Sequence, residues 1–155
     1  MARITVNTTG TQPILNISID PANVANAPLS VTCLQDITIT NSTGIYSWTD
    51  FCNTDVNKIT TPADNEISTN MVLDANVYFG TGGSNTAAEY GVAGISENKI
   101  NISWQLYMNG NANGAYYYTG TGYISSLAPT VSPEAPVWVS PLTLAVDGSM
   151  TTGVV

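Results

Sequence analysis

The stretch YYYTGTGYISSLAPTVSPEAPVWVSPLTLAVDGSM, residues 116–150, decides the fold class of this protein. Two runs of alternating aromatic and aliphatic residues flank a link that is rich in proline. A period of two predicts β-strands, because successive side chains of a strand point to opposite faces. The stretch holds two acidic residues and no basic one, so these strands are rich in apolar surface and poor in reactive groups.

The same alternation recurs upstream and predicts four more strands. They span residues 13–20, 29–40, 70–79 and 98–109. The strand at 98–109 is predicted to be half-buried, and its inward face holds Ile100, Ile102, Trp104, Leu106 and Met108. The link NGNANG, residues 109–114, supplies residues that tolerate positive φ, so it is expected to join this strand directly to the aromatic one.

One helix is predicted between the strands at 70–79 and 98–109. Ser84 or Asn85 can cap its first turn, and the helix continues for about three turns through Ile95. Gly91 and Gly94 weaken it.

Two segments lack a clear period. Residues 41–66 are largely polar but include Tyr46, Trp48 and Phe51. A long segment of this kind is unusual inside a compact domain unless it contacts something. We expect residues 41–66 to form a long inter-subunit loop and residues 1–10 to be a candidate N-terminal arm of a single domain over residues 1–155.

Composition limits the classes of function. The chain is 43% hydrophobic and 9% charged, and its 3 basic and 11 acidic residues give a net charge of -8. Tight nucleic-acid binding is not expected, because it needs clustered Lys and Arg. The chain also has no histidine, which removes the usual activation of nucleophiles and His-ligated metal sites. We therefore expect no enzyme and no cofactor.

Targeting signals are missing from the sequence. The first ten residues lack the apolar segment of a signal peptide, and no apolar run approaches the roughly 18 residues that span a bilayer. We expect a chain without a membrane segment that is made and kept in a cytoplasm. Cys33 and Cys52 are then expected to be small, buried, reduced thiols in preference to a disulfide.

Two clusters of residues can be interpreted either as binding sites or as parts of the structure without a ligand. The oxygen-bearing side chains in DFCNTDVN, residues 50–57, suit Ca²⁺, but the Gly and Glu of an EF-hand loop are missing, and a turn capped by its own side chains is favoured. The tyrosines at 116–118 and 123 would suit a carbohydrate platform. The interpretation favoured here is one face in the core and one face in a subunit contact.

The order of motifs at the end of the chain resembles the C-terminal signature of major tail tube proteins of long-tailed bacteriophages. In that family an aromatic strand with a G-x-G-x-[IV] turn precedes an x-S-L stretch, an A-P link and a last strand. The matching positions here are Gly120, Gly122, Ile124, Ser126, Leu127, Pro136 and the strand at 142–150. The segment SWTDFCN, residues 47–53, and the predicted helix also resemble elements of the family in their order.

The resemblance implies an antiparallel β-sandwich or barrel with one flanking α-helix. It further implies that six copies form a ring with a continuous inner β-barrel, and that stacked rings make a tail tube that conducts DNA without binding it specifically. Such a protein is part of the virion tail and is assembled in the host cytoplasm. The expected partners are other copies of the chain, a tape-measure protein and a tail terminator.

Residue roles follow from this picture. Acidic side chains on the polar faces of strands, Asp36 and Asp74 first, are candidates for the lining of the lumen, where they would repel phosphates within a Debye length of about 8 Å. The candidates for subunit contacts are Tyr46, Trp48, Phe51, Tyr116, Tyr118 and Trp138. The alternative function is a monomeric β-sandwich adhesin or carbohydrate-binding module that uses the tyrosines at 116–123.

Overall fold

Ten strands and two short helices make up the part of the chain that a computed structural model describes, namely residues 4, 12–19, 28–52 and 54–155. In chain order they are β1 Ile14–Ser18, β2 Leu29–Val31, β3 Leu34–Thr40, β4 Gly44–Trp48, β5 Asn57–Thr61, β6 Asn65–Val72, α1 Ala75–Phe79, α2 Ala87–Glu97, β7 Ile102–Tyr107, β8 Tyr116–Leu127, β9 Thr130–Ser132 and β10 Ala135–Val154. The prediction of a mainly β, antiparallel fold is confirmed. The predicted arm at residues 1–10 lies outside the described residues except for Ile4.

One antiparallel sheet dominates the structure. Its strands lie in the order β2-β1-β7-β8-β10-β6-β3, and β9 adds to β10. The predicted hairpin between the strand at Trp104 and the aromatic strand is confirmed, since β7 and β8 pair directly. Strands β4 and β5 form a separate two-stranded sheet.

The main sheet bends round on itself. Strands β2 and β3 stand at opposite ends of the strand order, yet only Thr32 and Cys33 separate Val31 from Leu34. A link of this length spans roughly 11 Å at most, because consecutive Cα atoms are 3.80 Å apart. The two ends of the sheet therefore meet at this corner, and the sheet forms a half-barrel.

The core lies inside this curve. Trp104 is fully buried and lies against β8 at Gly120, where an added methyl group would come within 3.0 Å of the indole ring. Helix α2 covers the same core with Val92 and Ile95, both fully buried. Strand β7 is central and is buried on both faces, since Ser103 is buried as well, so the prediction of a half-buried strand there was wrong.

The predicted strand at 29–40 is two strands. Cys33 has a φ of 57°, which breaks the extended backbone and sends β2 and β3 to different neighbours. Cys33 and Cys52 are both free and exposed. The expectation of buried thiols was therefore wrong, because Cys33 lies at this corner and Cys52 lies in the turn of the β4–β5 hairpin.

The predicted strand at 70–79 was wrong beyond Val72. Asp74 caps helix α1, and its Oδ1 accepts hydrogen bonds from the Asn76 N–H at 3.0 Å and the Val77 N–H at 3.2 Å. Aspartate at the N-cap satisfies backbone donors that a strand would pair elsewhere. The local capping preference therefore overrides the apparent period of two.

Helix α2 begins two residues later than the earliest predicted cap. Thr86 is its N-cap in a capping box with Glu89, which accepts from the Asn85 and Thr86 N–H groups. Gly91 is kinked out of helical geometry, with a φ of 66°. The predicted helix is therefore present as α2 but is kinked at Gly91, and α1 is a second helix that the sequence analysis did not predict. Among the described residues no helix is long and apolar enough to cross a membrane.

Candidate assembly surfaces

The outer face of four neighbouring strands, β3, β6, β10 and β8, is polar. Register places hydroxyl-bearing residues side by side across all four strands, in a row formed by Thr38, Ser68, Thr143 and Ser126. The residues that alternate with them, such as Ile67 and Leu144, point into the core. This row of the face is therefore formed by small uncharged groups.

Two acids lie on this polar face. Glu66 of β6 pairs with Ala145 of β10, and Asp147 lies two residues after Ala145 in β10. The two carboxylates are thus diagonal neighbours on one face, and both residues are exposed. The bases in the described part of the chain, Lys58 and Lys99, lie on other elements. The face is therefore uniformly negative.

The predicted lumen acids, Asp36 and Asp74, do not belong to the regular register of this polar face, and their place in a lumen stays a prediction. Asp36 is exposed at the register shift between Gln35 and Thr38, with a φ of 52°, so it stands outside the regular alternation of β3. Asp74 is the cap of α1 and not a strand residue. Sequence reasoning missed Glu66 and Asp147. The alternation of Leu142, Leu144 and Val146 in the sequence could have placed Asp147 on the opposite, polar side.

Within residues 41–66, predicted to be a loop, strands β4 and β5 form a projecting hairpin and β6 begins at Asn65. Tyr46 pairs with Ile59 across β4 and β5, and the Tyr46 and Trp48 rings stack with centroids 5.9 Å apart. Exposure reaches 59% for Tyr46, 40% for Trp48 and 112% for Phe51. In the described part of the chain, neither strand has extended contact with any other element. A lone two-stranded hairpin is only marginally stable in water. Its apolar surface is therefore expected to be stabilised by a contact outside the described residues.

A second apolar surface is concave. A groove of about 890 Å³ lies between the helices and the tip formed by β9 and the start of β10. Its walls include Tyr78, Phe79, Tyr90, Pro136, Val137 and Trp138. The Leu73 N–H donates to the Trp138 carbonyl at 2.9 Å, which holds the tip against the chain before α1. Burial, and then the charge of Glu97, raises the pKa of Tyr78.

The tyrosines of β8 divide between two faces. Tyr118 is half-buried and packs against the core, and its role as a subunit contact stays a prediction. Tyr117 contacts Tyr107 on the other face, with ring centroids 5.6 Å apart. Tyr116 and Tyr123 are exposed at positions seven residues apart. A continuous aromatic platform for a sugar is therefore not formed.

The segment at 50–57 behaves as a turn where it is described. The Cys52 N–H donates to Asp50 Oδ1 at 3.1 Å, which is the capping interpretation of this cluster. Asn53 lies outside the described residues. Among the residues that are described, no group of three or more His, Cys, Asp or Glu side chains could hold a metal ion.

Comparison with known proteins gives a match in structure alone. No family model matches the chain, and no curated protein matches it. The tail of an empty gene transfer agent particle, refined with C6 symmetry, superposes with a TM-score of 0.61 at 12% identity, covering 90% of this chain and 95% of that one. The SPP1 tail tube gives a TM-score of 0.61 at 14% identity, with 97% and 80% covered.

A third match is the tube-terminating cap of the anti-feeding prophage, with a TM-score of 0.60 at 13% identity over 100% of this chain and 95% of that one. The chain has the tail-tube fold. The resemblance in the C-terminal strands is thereby confirmed at the level of the fold. The polar face, the hairpin and the groove are exposed surfaces of this fold.

Proposed function

We propose that this chain is a structural subunit of a viral-type tail tube. The observation that carries the proposal is the match of nearly the whole chain to tail and tube-cap subunits of similar length. The surfaces support it, because an isolated domain gains nothing from an aromatic hairpin and two sheet edges that no described element covers. The role is structural and not enzymatic.

The proposed assembly is a ring of six copies, with rings stacked into a tube. Strands β2 and β3 are the ends of the sheet, and an edge strand offers unpaired N–H and C=O groups to a neighbour. Pairing such edges around a ring leaves none open. C6 symmetry was used for the gene transfer agent tail that this chain resembles.

In this assembly the polar face of β8, β10, β6 and β3 lines the lumen. Its hydroxyl groups offer no charge to DNA, and Glu66 and Asp147 repel phosphates within about 8 Å at physiological salt. A basic lining would bind DNA non-specifically and hold it. DNA is therefore expected to pass through without specific binding, in a virion tail that also needs a tape-measure protein and a terminator.

Electron microscopy of the purified protein tests the proposal. At high concentration, negatively stained fields are expected to show rings or tubes with sixfold top views and an open bore. Monomers at every concentration, with a sedimentation coefficient that does not change, would overturn it.

A tube terminator is the second candidate. The anti-feeding prophage cap is matched over 100% of this chain, which is as complete as any tube match described here. A terminator is expected to form single rings that bind the ends of tubes, whereas a shaft subunit forms tubes of many rings. The same micrographs distinguish the two.

A further inference from the structure

We propose that the apolar groove between the two helices and the β9–β10 tip receives the β4–β5 hairpin of a second copy of this chain. This inference rests on the proposed function, because it names the partner of one assembly surface. The contact is heterologous, since hairpin and groove are different parts of the same chain. Repetition of such a contact joins copies into a ring or a filament.

The groove has the form of a receptor. Its volume of about 890 Å³ lies in the upper part of the range of roughly 300–1,000 Å³ in which proteins hold ligands. Phe79 and Trp138 line it while 71% and 52% exposed. Backbone hydrogen bonding at Leu73 holds the tip, and the Tyr78 and Phe79 rings pack edge to face at 5.0 Å. The apolar walls are therefore ordered and not covered by the described elements.

The hairpin has the complementary form. Tyr46, Trp48 and Ile59 share one face of it, because Tyr46 and Ile59 are directly paired and Trp48 lies two residues along from Tyr46. A large aromatic side chain buries about 150–250 Å². Each partner contributes roughly 800 Å² to a stable interface. Tyr46, Trp48 and Phe51 would together supply a large part of that area.

Charge fixes the orientation. Glu97 is the acid that lines the groove, and Lys99 follows it by two residues at the end of α2. On the hairpin, Asp50 and Asp55 lie toward the turn. Lys58 pairs with Ser47, so it lies on the face opposite Tyr46 and Ile59 and stays in solvent when the apolar face enters the groove. Opposite charges meet when the turn lies toward Lys99.

Photo-crosslinking in assembled material tests the contact. The photoreactive amino acid p-benzoylphenylalanine replaces Trp48, and subunits with natural and heavy nitrogen are mixed before assembly. Mass spectrometry is expected to find crosslinks from the hairpin to peptides within residues 73–97 or 129–138, with mixed isotope labels that prove a second copy. The same probe in place of exposed Tyr116 is the matched control and should not label the groove.

Every other result has a defined meaning. Crosslinks that carry one isotope label alone show that the groove holds the hairpin of its own chain, and crosslinks to other surfaces in well-formed tubes show a different partner. Either outcome overturns the inference and leaves the proposed function standing. Failure of the unmodified protein to assemble overturns the proposed function itself.

Discussion

Gly80 and Gly91 meet backbone to backbone where the two helices cross. A methyl group on Gly91 would collide with the Gly80 nitrogen, and one on Gly80 would collide with the Glu89 carbonyl oxygen. Both glycines have positive φ, 79° and 66°, a region that other residues enter at a cost. The two helices can therefore approach this closely only with glycine at both positions.

Replacing Gly91 tests this crossing. Gly91→Ala is expected to lower the free energy of unfolding by about 2–3 kcal/mol, because it combines a strained φ with a backbone collision. Gly94→Ala, three residues along the same helix, is the control. Its added methyl group would make ordinary contact with Tyr90 at 3.4 Å, so it should be neutral or slightly stabilising. Urea unfolding measures both, and equal losses would refute the argument.

The two glycines of the G-x-G turn should differ in sensitivity. A methyl group on Gly122 would collide with the Ala145 carbonyl on the neighbouring strand, whereas one on Gly120 would meet the Trp104 ring at 3.0 Å. Backbone cannot yield as a side chain can, so Gly122→Ala should cost about 3 kcal/mol and Gly120→Ala about 1–2 kcal/mol. Thermal unfolding of the two variants gives the order, and the reverse order would contradict the packing.

Stability should fall in alkaline solution. Burial first, and then the charge of Glu97, raises the pKa of Tyr78 from 10.0, and burial also raises that of Tyr107. The unfolded chain then loses these protons at a lower pH than the folded one, so the stabilisation is complete below pH 10 and is lost as pH rises through the folded values. Urea unfolding between pH 9 and pH 11 should show the loss.

Tyr78→Phe should flatten this alkaline decline, because it removes one of the two groups. The exposed Tyr123→Phe serves as the control. An unchanged pH profile in Tyr78→Phe would show that Tyr78 does not carry the effect.

The proposed lumen can be tested by reversing its charge. Glu66→Lys with Asp147→Lys should leave tube assembly intact but give tubes that retain DNA, with retention that weakens as salt is added. DNA co-sedimentation with assembled tubes is the measurement. Glu134→Lys is the control, because exposed Glu134 lies in the turn between β9 and β10 and not in the register of these four strands. Retention in the control and not in the double variant would place the lumen elsewhere.

Truncating the hairpin should separate stability from assembly. Phe51 is fully exposed and Trp48 stacks on Tyr46 within its own hairpin, so Trp48→Ala with Phe51→Ala should change the free energy of unfolding by about 1 kcal/mol at most. Assembly should weaken by more than about tenfold if these side chains are anchors in an interface. Chemical denaturation and sedimentation velocity report the two effects. A large loss of stability without loss of assembly would mean that the hairpin packs on its own subunit.

The sequence predicted the strands whose alternation is uninterrupted. Strands β7, β8 and β10 follow the pattern of Trp104, Ile124 and Leu144, because each such residue points into one core. The pattern failed where a single local preference was stronger, as at Asp74, which caps a helix, and at Cys33, whose positive φ divides one apparent strand into two. Neither the helix cap nor the positive φ can be predicted from the period of the hydrophobic residues.

The candidate surfaces were predicted in part. Tyr46, Trp48 and Phe51 are exposed as expected of residues that await a partner, and so is Trp138. The groove could not be read from the sequence, because it joins residues from two helices and a distant strand. Glu66 was not singled out because it was assigned to the segment 41–66, which has no clear period, although it belongs to strand β6.

The place of β10 has a consequence for biosynthesis. It is the tenth strand in sequence but lies in the middle of the sheet, between β8 and β6, and it also holds β9. While the ribosome is still making this strand, the halves β2-β1-β7-β8 and β6-β3 lack the strand that hydrogen-bonds them into one sheet and are linked through the corner between β2 and β3. We therefore expect self-association to wait until residues 135–154 have emerged from the ribosome.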